Sequence, residues 1–118
     1  MGEFMSLTSW ESFEKSIDEA VAHRRYLRAA NIVKEALYDV GQKRELPQPL
    51  IVSADKVAHI QQSRGDFTNA AAIYRLILQA QQKHLSPQHP DIQRTTKQLQ
   101  QVLGEAGGLS PGTASRNN

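Results

Sequence analysis

The residues with the clearest capacity for chemistry are three lysines at one interval, since Lys15, Lys56 and Lys97 stand 41 residues apart along the chain. If that interval puts them on equivalent helix faces, their ammonium groups form a ladder, joined by Arg94, that would attract the carboxylates of an extended acidic peptide. The competing reading is three solvated lysines on polar helix faces, which is the commonest use of the residue. Asp18 and Asp55 are the acids close enough in sequence to compensate such a row. The other reactive side chains make no constellation. His23, His59, His84 and His89 lack the HxxxH or HxH spacing of a metal site. Cysteine is absent, which excludes disulfides, thiolate zinc sites and cysteine nucleophiles together. No serine sits in a nucleophile elbow and no glycine-rich phosphate loop follows a strand. Glu11 and Glu14 share a helix start, where carboxylates serve the helix dipole rather than acid and base chemistry. The expectation is a binding protein with no catalytic, cofactor or metal site.

The interval of 41 extends beyond the lysines. Tyr26 pairs with Phe67, Ala29 with Ala70, Ala30 with Ala71, Ile32 with Ile73, Val33 with Tyr74, Ala36 with Ile77 and Leu37 with Leu78. Pro49 pairs with Pro90 and Ile51 with Ile92 in the same ungapped register. Self-similarity at a fixed period marks a repeat architecture. Within each unit the apolar residues recur at spacings of three and four, which wraps one broad helical face rather than a coiled-coil seam. Small residues at Ala29, Ala30, Ala70 and Ala71 would let helices approach closely near a hairpin turn.

Helices are therefore expected at roughly 9–23, 26–43, 50–64, 67–85 and 91–105. Thr8, Ser9 and Glu11 suggest a capping-box start, and Glu14, Asp18 and Glu19 continue the acidic character of the first helix. Gly65 and the Gly107-Gly108 pair read as C-terminal caps, while Leu46-Pro47-Gln48-Pro49 and Ser86-Pro87-Gln88-His89-Pro90 interrupt any continuing helix. The result is an all-α chain of two helical hairpins, at about 8–48 and 49–89, and a closing helix at about 90–106. Residues 1–5 read as a cloning adapter ahead of a natural start at Met5, and 107–118 as a tail too poor in apolar residues to order itself.

Composition limits the partners. Lysine and arginine number 14 against 12 acids, a formal net charge of +2, far from the basic surplus that nucleic-acid binding needs. No apolar run approaches the roughly 18 residues that span a bilayer, so the reading is cytoplasmic, without membrane.

Gly65-Asp66-Phe67, then Ala70, Tyr74 and Leu78, and finally Leu85-Ser86-Pro87-Gln88-His89-Pro90-Asp91, resemble the longer tetratricopeptide repeat of kinesin light chains and many bacterial proteins. That resemblance implies an α-α superhelix, packing roles for Tyr26, Ala29, Phe67, Ala70, Tyr74 and Pro90, and a turn fixed by hydrogen bonding from His89. It also implies a scaffold or adaptor whose first helices line a groove for a protein partner. The first unit departs from the pattern, with Arg24 where the turn glycine belongs and Pro47-Gln48-Pro49-Leu50 in place of His-Pro-Asp. The groove asparagines of the family are missing. A homo-oligomeric assembly is the second functional reading, because about three repeats are usually needed before such a core is self-sufficient. Leu99, Val102 and Leu103 are the residues that would decide it. Trp10 and Phe13 could cover the open end of the stack or project toward a partner.

Overall fold

The three-and-four spacing of apolar residues closes into five α-helices in the computed structural model, which describes residues 9–41 and 46–108. They are α1 (Ser9–Ala22), α2 (Tyr26–Gly41), α3 (Gln48–Ser63), α4 (Phe67–His84) and α5 (Pro90–Gly108), with no strand among the described residues. The adapter at 1–5, the cap at Thr8 and the tail from 109 onward lie outside the described residues, as does the segment 42–45 between α2 and α3.

The turn after α1 and the turn after α3 have the same geometry at an offset of 41. Asp66 N–H donates to Gln61 O at 2.8 Å and Gly65 N–H to Gln62 O at 3.0 Å. Arg25 N–H donates to Ala20 O at 2.8 Å and Arg24 N–H to Val21 O at 3.0 Å. Each pair is a Schellman cap, which requires a residue in the left-handed region at its corner. Gly65 occupies that corner at φ 82° and Arg24 at φ 60°. The first turn is thus as tight as the second although it lacks the glycine.

Both prolines of the 41-residue register sit inside helices rather than ahead of them. Pro47 is the N-cap of α3 at φ −72°, and Pro49 lies within its first turn. Pro90 opens α5. The first-turn N–H groups of a helix have no intrahelical acceptor, so proline loses nothing there and its fixed φ suits the helix. The Gly107-Gly108 pair, expected to cap α5, instead remains helical. Gly107 lacks the positive φ found at Gly65. Glycine permits a left-handed corner without imposing one.

Packing joins α1 to α2 and α3, α3 also to α2 and α4, α2 to α4, and α4 to α5. Ala29, Ala30, Ala70 and Ala71 are all buried, in one core with Val33, Leu37, Ile73 and Ile77. Polar links tie helices that stand two apart in chain order. Ser53 Oγ donates to Glu14 on α1 at 3.3 Å, Gln62 Nε2 to Glu105 on α5 at 2.8 Å, and Lys34 Nζ to Asn69 Oδ1 between α2 and α4 at 2.7 Å. Two further columns share the register. Ile17, Ala58 and Leu99 all join the core, and so do Ala20, Gln61 and Val102, with large and small side chains alternating between units. Phe13 packs against the same core.

Candidate functional site

Lys15, Lys56 and Lys97 are all exposed, each at the equivalent position of α1, α3 and α5. Lys56 lines a shallow depression of about 300 Å³ with Tyr26, His59, Ile60, Ser63 and Arg64. Arg94 is drawn to its own helix, where its guanidinium meets Asp91 Oδ1 at 3.2 Å. Of the packing residues, Ala29, Ala70 and Tyr74 are fully buried, and Tyr26 and Phe67 are half-buried. Pro90 is the exception. It is exposed, and it contributes the backbone geometry of a helix start rather than packing.

His89 holds its turn through its ring, whose Nδ1 accepts from Asp91 N–H at 3.0 Å. The same Nδ1 stands 3.9 Å from the Asp91 carboxylate. Tyr74 presents a different situation. Its hydroxyl is buried without a hydrogen-bond partner, and His59 stands edge-on to its ring at 6.4 Å. Burial, followed by the negative charges of Asp55 and Glu105, pushes the phenol well above its ordinary value.

A second charged feature of the surface is one that the lysine interval does not reveal. Where α1 turns into α2, a cleft of about 590 Å³ is lined by Arg24, Arg25, Arg28 and Arg64, with Tyr26, Leu27, Gln61 and Asp66. The Arg64 guanidinium lies over the Tyr26 ring, 4.6 Å from its centre, a cation–π contact that orients the fork. Asp66 is the acid of the cleft, but its carboxylate is occupied. It accepts from Asn69 N–H at 3.2 Å, Asn69 Nδ2 at 2.7 Å and Gln61 Nε2 at 3.0 Å. Among the described residues no carboxylate lies within ion-pair distance of Arg24, Arg25 or Arg28. A smaller recess of about 130 Å³ adjoins it, sharing Arg25 and Arg28 and adding His23 and Glu19. The signal in the sequence was the run His23-Arg24-Arg25, with Arg28 one turn on and Arg64 in the register of His23.

Among the described residues no three His, Asp or Glu side chains converge as metal ligands, and no helix is long and apolar enough to cross a membrane. Comparison with protein-family models, with curated proteins and with solved structures gives no significant match.

Proposed function

We propose that the chain is a protein-binding adaptor, a short tetratricopeptide-like superhelix that holds an acidic peptide rather than catalysing a reaction. The observation carrying this reading is the exposure of Lys15, Lys56 and Lys97 at equivalent positions of α1, α3 and α5. Equivalent positions on stacked units occupy equivalent places, so the three ammonium groups would line one side of the array. Support for the repeat class comes from the paired Schellman turns and from the Gly65-Asp66-Phe67 and His89-Pro90-Asp91 signatures.

The test is a titration of a labelled acidic peptide against the parent and the Lys56→Ala and Lys97→Ala variants. The adaptor reading expects both variants to bind more weakly, and added salt to weaken the parent, because exposed charges are screened beyond about 8–10 Å. Equal binding by all three proteins would return the lysines to ordinary solvated surface.

Self-association finds less support. Val102 is buried in the core and Leu99 packs against it, which leaves Leu103 as the large exposed apolar residue of α5. The remaining exposed hydrophobics are scattered, with Leu27 and Tyr38 on α2 and Val52 on α3. A single mass equal to the monomer across concentrations in sedimentation equilibrium is the expected result.

A further inference from the structure

The two Schellman turns provide an internal comparison, since one backbone geometry carries two different sets of side chains. At the second turn the residues suit the backbone. Gly65 takes the left-handed corner, and Asp66 caps α4 by accepting from Asn69 N–H. At the first turn both residues work against it. Arg24 holds the left-handed corner at φ 60°, a conformation disfavoured for any residue with a Cβ. Arg25 stands in the register of Asp66, and its carbonyl accepts the first helical bond from Ala29 N–H at 2.9 Å. A guanidinium has no acceptor with which to cap a helix N-terminus. Two residues that fit the fold poorly thus stand side by side, and both line the arginine cleft. Local departures from good backbone chemistry concentrate where function needs the side chain.

We propose that this cleft binds the phosphate group of a phosphorylated serine or threonine on a partner peptide. The proposal rests on the reading of the chain as a peptide-binding protein but uses a different surface from the lysine row. Charge distribution selects the ligand. Four of the chain's 14 lysines and arginines line one cleft with one of its 12 acids, Asp66, and the other ten stand against the other 11 acids. A long polyanion such as RNA, or an anionic membrane, would find no basic surplus beyond the cleft. A compact group with about two negative charges needs none. Guanidinium forks match phosphate oxygens in pairs, and Arg64 is already oriented by Tyr26. The cleft also adjoins the depression that contains Lys56, because Tyr26 and Arg64 line both. A peptide lying on α3 could therefore place a phosphorylated residue at the arginine end.

The test uses the full 118-residue chain in backbone amide NMR titrations. The probes are a neutral peptide bearing one phosphoserine, its unphosphorylated twin, a uridine oligonucleotide, and vesicles of phosphatidylcholine with phosphatidylserine. The phosphopeptide should give saturable shifts centred on residues 24–28 and 61–66, and the twin should give none. Arg24→Gly and Arg28→Ala should each weaken binding by about tenfold, the usual loss for one hydrogen bond to a charged group. Arg75→Ala, at an exposed residue of α4 that lines neither the cleft nor the Lys56 depression, should leave it unchanged. Arg24→Gly also separates binding from folding, because it should lose affinity while melting no lower than the parent. Full affinity in Arg24→Gly, equal binding of the unphosphorylated twin, or tighter binding of the oligonucleotide or the vesicles at the same residues would each overturn the proposal. Phosphopeptide binding that survives Lys56→Ala, together with an acidic peptide that fails to bind, would retire the lysine row and keep the cleft.

Discussion

Replacing Arg24 by glycine should make the protein more stable, and the size of the gain can be worked from the turn itself. A residue with a Cβ in the left-handed region costs about 1–2 kcal/mol, and glycine avoids that cost at φ 60°. Against this, glycine gives the unfolded chain more freedom, which takes back about 0.4–1 kcal/mol. Arg24 is exposed and has no ion-pair partner among the described residues, so no contact of its side chain enters the balance. At the midpoints of the two ranges the net gain is about 0.8 kcal/mol, or about 3–6 °C in the melting midpoint of a domain this size.

The equivalent turn supplies the reverse experiment. Gly65→Ala should lose about 1 kcal/mol, and the loss must come from backbone conformation, because a Cβ built there meets nothing within 4 Å. Thermal and urea unfolding of the two variants and the parent, followed by circular dichroism at 222 nm, would measure both. A lower midpoint for Arg24→Gly would refute the reasoning. It would show that the Arg24 side chain helps hold the turn, and it would remove the ground for treating that arginine as a structural cost.

Three other outcomes follow from the packing and the charges. Ala70→Leu should destabilise the fold by about 1–3 kcal/mol through overpacking, since Ala70 is fully buried, and an unchanged unfolding midpoint would contradict that. Asp66→Ala should cost about 1–2 kcal/mol in urea unfolding, because it removes the cap of α4 and leaves the buried Gln61 amide without its acceptor. Tyr74→Phe should be neutral or stabilising by up to about 1 kcal/mol at pH 7, as the buried hydroxyl has no partner to lose. The same residue governs alkaline behaviour. Its proton is bound in both states below pH about 10, and above that the unfolded chain releases it first. Stability should therefore fall as pH rises beyond about 10, and Tyr74→Phe should flatten that fall in unfolding curves taken from pH 8 to 12.

The all-helical character and the order of helix pairs were legible in the sequence, because a helix buries one face and its period survives in the spacing of Ala29, Val33, Ala36 and Leu37 and their partners 41 residues on. The columns Ile17–Ala58–Leu99 and Ala20–Gln61–Val102 were not legible. Their side chains trade volume between neighbouring units, so only the packed core shows that they share a place. Helix ends were decided outside the local pattern. Pro49 falls within the first turn of α3 because the orphan N–H groups there tolerate it, and Gly107 stays helical although glycine could have ended α5. The lysine interval was visible because it repeats in one register, whereas the arginine cleft was not. A net charge of +2 averages over the whole chain, but folding back at two equivalent turns brings Arg64 to Arg24, Arg25 and Arg28. Sequence determined which residues are basic and which face the core. Only the tertiary structure decided where the charges meet, since Arg28 and Arg64 stand 36 positions apart along the chain and the cleft joins them in space.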